Sequence, residues 1–220
     1  MRDCYSMNQM MTRDKRYFDY TDGTFHYLEH LEKMKKLMGG YDLFLLWPTW
    51  PAMGMNQRNQ WDMYRTLPGG YAQLKKISDD CHRLGTKLFL CYIPWDGSTR
   101  SSEGHYDGMT TITRECGIDG FCLDTSGGSN KELQAAVDQV RPGVIMYSEG
   151  MAVPKDMQGI PSGRTHDALY YCPMLNLNKF IKPDFAIIRV AKENLEPIKR
   201  EFNVAFFNGY GVEINSMGPG

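Results

Sequence analysis

Short, nearly unbroken apolar runs recur along this chain, and stretches with helical spacing separate them. Tyr41 to Trp47 reads YDLFLLW and Lys87 to Ile93 reads KLFLCYI. A strand that is apolar at every position has to be covered on both faces, as in a parallel sheet flanked by helices. The intervening segments supply the helices. Phe25 to Met38 carries Tyr27, Leu28, Leu31, Met34, Leu37 and Met38 at helical spacing and stops at Gly39-Gly40. After a long loop from Pro48 to Pro68, Gly70 to Leu84 predicts a second helix ended by Gly85. A loop from Pro94 to Gly104 precedes a third helix, His105 to Glu115. Two further strands, Ile118 to Leu123 and Val144 to Tyr147, bracket a helix from Lys131 to Val140 that Arg141-Pro142-Gly143 closes.

Beyond Glu149 the pattern weakens. Met151 to Asp167 reads as loop, Ala168 to Tyr171 as a short strand and Phe185 to Val190 as a strand. Glu193 to Phe202 reads as a helix despite Pro197, and Asn203 to Phe207 (NVAFF) as a last strand. An α/β chain with about seven visible strands separated by helices predicts a (β/α)8 TIM barrel over residues 1–220, since eight strands close one. The eighth strand is expected in the first 20 residues; otherwise the barrel is incomplete and the chain one piece of a longer protein with other domains. Gly218-Pro219-Gly220 has the look of a domain boundary. The alternative is an open, doubly wound sheet.

Composition narrows the function classes. The 220 residues are 42% apolar and 23% charged, with a formal net charge of −1. There is no basic run, so nucleic acid is not an expected partner. No apolar stretch approaches the roughly 20 residues of a membrane span, so no membrane role is expected. Met1-Arg2-Asp3-Cys4-Tyr5 lacks the apolar core of a signal peptide. The cysteines (Cys4, Cys81, Cys91, Cys116, Cys122 and Cys172) form no Cys-x-x-Cys pair, and those in strand-like runs are expected to be small buried thiols. His26 and His30 are four apart but have no third ligand beside them, so no metal site is predicted there.

The strand ends carry the chemistry. Two consecutive apolar runs each finish on a carboxylate: GIDGFCLD at Asp124 and VIMYSE at Glu149. Adjacent parallel strands lie about 4.8 Å apart, so two acids at neighbouring tips face one small substrate together. A lone Asp before Ser126-Gly127-Gly128-Ser129 would read as a turn or helix-cap residue. The pairing at the ends of buried-type strands favours a task for both. The same rim is expected to collect Trp47, Trp50, Tyr92, Trp95, Asp96, Arg189 and Asn208 as substrate-binding residues. Aromatic faces stack on sugar rings, and carboxylate, Arg and Asn hold hydroxyls. No phosphate-binding Gly loop of the P-loop or dinucleotide type is present. A carbohydrate is therefore the expected substrate, and a carboxylate pair is what glycosidic bond cleavage requires.

Gly117 to Thr125 resembles glycoside hydrolase barrels, notably the alpha-amylase-like and alpha-galactosidase-like superfamilies, in which a segment G-[IV]-D-G-F-x-x-D carries the nucleophilic Asp at a strand end. Glu149, an acid at the next strand 25 positions on, is similar to the alpha-amylase-like order. Leu67 to Lys87, with its His82-Arg83-Leu84-Gly85-Thr86-Lys87 ending, also looks like these barrels. Phe206 to Gly211 (FFNGYG) is similar to a last-strand segment of large bacterial proteins related to glycosidases. Two features depart from the alpha-amylase pattern. Cys122 stands where those enzymes have Arg, two residues before the nucleophile, and Phe185 to Lys192 has no His-Asp pair at its tip. A more remote family sharing the barrel and the two acids is the better match.

The resemblance implies a retaining glycoside hydrolase acting on α-linked carbohydrate, with Asp124 as nucleophile and Glu149 as acid/base. It implies no metal and no organic cofactor, and a secreted or periplasmic place of action. A second reading, from a different class, is a non-catalytic or degenerate carbohydrate-binding barrel, which Cys122 and the absent third acid favour. A metal-dependent hydrolase or a Schiff-base aldolase fits less well. No His sits at a predicted tip, and only Lys192 approaches a strand-borne lysine.

Overall fold

A computed structural model describes residues 1–48, 57–96, 104–126, 131–149, 157–165, 177–192 and 198–216. Eight parallel strands close into a barrel in the order β1-β10-β9-β8-β7-β6-β5-β4. These are β1 (Ser6–Met11), β4 (Leu43–Trp47), β5 (Lys87–Tyr92), β6 (Gly120–Leu123), β7 (Ile145–Ser148), β8 (Ser162–Thr165), β9 (Ala186–Lys192) and β10 (Gly211–Ser216). A small antiparallel pair, β2 (Phe18–Asp19) and β3 (Thr24–Phe25), lies between β1 and the first helix. The expected (β/α)8 barrel is present, and its eighth strand does lie in the first 20 residues. The open-sheet alternative is excluded, because β1 pairs with both β4 and β10.

The continuous apolar strands are explained by two cores. One alternate set of residues (Met7, Leu43, Leu45, Trp47, Phe89, Cys91, Cys122, Tyr147 and Ile188) fills the barrel. The other set, including Phe44, Leu46, Leu88, Leu90, Phe121, Leu123 and Ile187, packs outward against the helices. Those helices are α1 (Tyr27–Met38), α2 (Gln60–Thr66), α3 (Gly70–Arg83), α4 (His105–Cys116), α5 (Lys131–Asp138), α6 (Leu177–Ile181) and α7 (Ile198–Asn208). They bury stripes at helical spacing, such as Leu74, Ile77 and Cys81 on α3 and Met109, Ile112 and Cys116 on α4.

Three expectations are corrected. The segment read as loop from Pro48 to Pro68 contains α2. Its start is a capping box, in which Asn59 Oδ1 accepts from the Asp62 backbone N–H at 2.9 Å and Asp62 Oδ2 accepts from that of Asn59 at 3.4 Å. The segment Asn203 to Phe207, read as a strand, is the end of α7, and the last strand is β10. Its aromatic residues suggested burial, yet Phe206 and Phe207 are exposed, and the buried helix residues among those described are Glu201 and Ala205. Gly209, at φ 63°, ends the helix, and the Tyr210 N–H reaches back to the Ala205 carbonyl in a Schellman-type closure. The strand predicted at Ala168 to Tyr171 lies outside the described residues. The chain runs as strand β8 just before it, inside the stretch read as loop.

The GIDG segment sets up β6. Gly117, at φ 69°, caps α4, and its N–H bonds the Thr113 carbonyl. Asp119 accepts from His82 Nε2 at 2.7 Å, from Arg141 Nη2 at 2.9 Å and from the Leu88 N–H at 2.9 Å. The HRLGTK and GIDG segments therefore meet at the start of the strand, at the opposite end of the barrel from Asp124. Gly120 has no room for a side chain. A Cβ there would stand 2.5 Å from Phe89 Cζ and 2.6 Å from the Ile145 carbonyl oxygen. Because one neighbour is backbone, Gly120→Ala is expected to lower stability by about 1–3 kcal/mol. Urea unfolding checks this; an unchanged midpoint would contradict the packing.

Candidate active site

Register brings three polar side chains into one row. Leu123 pairs with Ser148, and Ser148 with Gly163. The next residues along the three strands, Asp124, Glu149 and Arg164, therefore stand side by side at the C-terminal mouth. Side chains alternate across a strand. Since Cys122 and Tyr147 point into the barrel, Asp124 and Glu149 do too. The structure thus brings together the two acids expected from the sequence, and their carboxyl groups hydrogen-bond each other directly.

The backbone reinforces the pairing. Thr125, a β-branched residue, has a left-handed φ of 57°, a conformation that costs energy without support from its surroundings. Its N–H donates to Glu149 Oε2 at 2.5 Å. Ser148 Oγ donates to the Ser126 carbonyl at 2.7 Å and ties the two strand ends together. Below the pair, Arg164 is almost fully buried. Its Nη2 donates to Glu149 Oε1, and its Nη1 donates to Glu213 Oε1 at 3.0 Å and to Gln9 Oε1 at 2.9 Å. Its guanidinium lies over the Trp47 ring, 5.3 Å from the centroid. Tyr147 Oη donates to Glu213 Oε2 at 3.2 Å.

These contacts divide the charge unequally. Burial, then the hydrogen bond and negative charge of Glu149, push Asp124 up to about 8. Burial acts on Glu149 in the same direction. Hydrogen bonds from Asp124, Thr125 and Arg164, with the arginine's charge, outweigh it and hold Glu149 below its ordinary value. Burial raises Glu213, and Arg164 opposes it. In the unliganded site these contacts favour the proton on Asp124 and the charge on Glu149.

The other residues expected at the rim are dispersed. Trp47 points inward and is buried beneath Arg164. Tyr92 faces outward, stacks on Trp61 and shares a hydrogen bond of 2.8 Å with His105 Nδ1. Trp95 is exposed, and Asp96 accepts from the Gln60 N–H at the start of α2 at 2.7 Å. Arg189 also faces outward, where its Nε donates to Glu201 of α7 beneath the helix. Asn208 is not at a strand tip: it ends α7, and its side chain donates to the Val204 carbonyl at 2.8 Å. Trp50 lies outside the described residues. Sequence reasoning missed Arg164, Glu213 and Gln9. The available signal was a charged or amide residue inside a strand that is otherwise buried.

The proton on Asp124 has a consequence for folding. Its folded-state value lies above the unfolded one, so the native chain binds this proton more tightly. The associated stability is fully present below about pH 4 and is lost as pH rises toward 8. Asp124→Asn mimics the protonated group and does not titrate. Its stability relative to the parent chain is therefore expected to grow between pH 5 and 8, as measured by urea unfolding across that range. A constant difference would show that Asp124 is ionised in the fold.

Comparison with known proteins bears on the fold. No protein-family model matches the chain, and no curated protein matches it by sequence. Among solved structures it is similar to a noncanonic maltogenic alpha-amylase, AmyB, from Thermotoga neapolitana, with a TM-score of 0.63 and 12% identity over 97% of this chain and 67% of that one. It is also similar to an alpha-amylase from Geobacillus thermoleovorans complexed with acarbose, with a TM-score of 0.60 and 13% identity over 97% and 70%. A designed cube-shaped protein cage built from fused oligomeric domains matches at 0.54 and 10% identity. The chain therefore shares its barrel fold with these alpha-amylases, and at such identities with proteins of other purposes as well.

Proposed function

We propose that this chain is a retaining glycoside hydrolase acting on α-linked carbohydrate, with Asp124 as nucleophile and Glu149 as acid/base. The observation that supports it is the carboxyl pair itself: two acids at neighbouring strand tips, both facing into the barrel, with the Thr125 N–H beside Asp124 donating to Glu149. Retaining cleavage needs one ionised and one protonated carboxyl at the outset. The motif resemblance, with the Asp on one strand and the Glu on the next, supports the α-linkage and the assignment of roles.

In the first step an Asp124 oxygen bonds the anomeric carbon, the glycosidic C–O bond breaks, and the Glu149 proton passes to the leaving oxygen. In the second, Glu149 takes a proton from water, the water oxygen bonds the anomeric carbon, and Asp124 leaves as carboxylate. Retaining pairs stand about 5–5.5 Å apart, so an entering sugar must part these two groups. The resting contacts favour the proton on Asp124, so these roles require it to cross to Glu149 as the hydrogen bond opens. The closed pair also supports a second reading, a barrel that binds sugar without cleaving it, and Cys122 points the same way.

Azide rescue separates the possibilities. Asp124→Gly and Glu149→Gly should each slow hydrolysis of activated aryl α-glycosides by at least about 10²-fold. With azide, Asp124→Gly is expected to yield the glycosyl azide of inverted configuration and Glu149→Gly the retained one. The opposite pattern would exchange the roles. Sugar binding without turnover by the parent chain over a broad glycoside panel would favour the binding barrel.

A further inference from the structure

We infer that Arg164 is a positioning residue that decides which member of the Asp124–Glu149 pair holds the shared proton, with Glu213 as its second counter-ion. The inference rests on the reading of that pair as the working site, but it concerns the charge state of the pair rather than turnover.

The geometry carries the argument. β8 places Arg164 beside Glu149 in the barrel row, not beside Asp124. Its planar fork sends one amino group to Glu149 and the other to Glu213 and Gln9. A lysine would bring the same charge to Glu149 without the two-pronged fork that also engages Glu213. The groups facing Glu149 among the described residues are Asp124 from the end of β6, Arg164 from β8, Glu213 from β10, Tyr147 from its own strand, and the Cys91 and Cys122 thiols. Burial keeps both thiols and the Tyr147 phenol protonated, so they carry no compensating charge. One buried cation therefore stands among carboxyls from three strands.

A low-dielectric interior tolerates little uncompensated charge. Of the pair at the mouth, Glu149, which Arg164 touches, is held below its ordinary value, and Asp124, which it does not touch, is pushed up. Glu213 makes this arrangement reversible. If Glu149 takes up the proton, the Nη1 bond to Glu213 still holds the guanidinium in place and can supply its counter-charge. Arg164 and Cys122 also account for each other. Cys122 is a small inward side chain under Asp124, and the guanidinium of the row comes from Arg164, two strands away.

The test is a titration of the Asp and Glu side-chain carboxyls by ¹³C NMR, with Asp124→Asn and Glu149→Gln used for assignment. In the parent chain Glu149 is expected to ionise well before Asp124. Arg164→Gln alone leaves two buried acids facing each other and is at risk of not folding. The paired variant Arg164→Gln/Glu213→Gln removes the cation together with one acid and preserves shape. In it the Glu149 midpoint is expected to rise by about one pH unit or more, the usual effect of losing an adjacent opposite charge. Arg164→Lys, which keeps the charge, should restore much of the low midpoint. A folded double variant in which Glu149 titrates as in the parent would overturn the inference, as would Arg164→Lys behaving like the double variant. Because nothing is turned over in this measurement, a chain that cleaves no sugar still decides it.

Discussion

One buried guanidinium holds the interior of this barrel together electrically. Arg164 reaches Glu149, Glu213 and Gln9, which come from β7, β10 and β1, and it lies over Trp47 of β4. Closing eight strands puts alternate side chains into a space from which water is largely excluded. A charge there is costly unless it is both paired and hydrogen-bonded. The balance of charge at the mouth follows from where this one cation can and cannot reach. Glu149 is within its grasp and is held below its ordinary value. Asp124, one strand further on, is not, and is pushed up.

The best-patterned segment of the chain does two separate jobs along one strand. Gly117, Asp119 and Gly120 act at its start, where the helix cap, the His82 and Arg141 contacts and the clearance for Phe89 fix the height and angle at which β6 enters. Asp124 and Thr125 act at its end, where the chain turns sharply and the strained Thr125 N–H is aimed at Glu149. The lower half of the motif is architecture. It matters to the chemistry because carboxyl groups on neighbouring strands meet only if both strands keep their register.

Much of the fold was legible because burial on both faces leaves a plain mark. YDLFLLW, KLFLCYI and the runs before Asp124 and Glu149 are strands in place. The stretches between them with helical spacing are helices, apart from small differences at their ends. What misled was local appearance without context. NVAFF has the aromatic and branched residues of a strand, yet it forms a helix whose phenylalanines face solvent and whose buried face is set by the Arg189–Glu201 pair. SGRT has none of the look of a strand, yet β8 is formed by its neighbours on either side. Of the residues expected to line the rim, Tyr92 and Arg189 point outward because of alternation along their strands, and Asn208 belongs to a helix.

Hydrophobic periodicity and chain order are local properties, so the layered α/β architecture and the two acids at adjacent strand ends can be read from the chain alone. Only the tertiary structure decided the charge on those acids. That depends on the distance to a guanidinium in the stretch read as loop and to a glutamate 64 positions beyond Glu149. Closure of the barrel sets that distance, and no spacing along the chain encodes it.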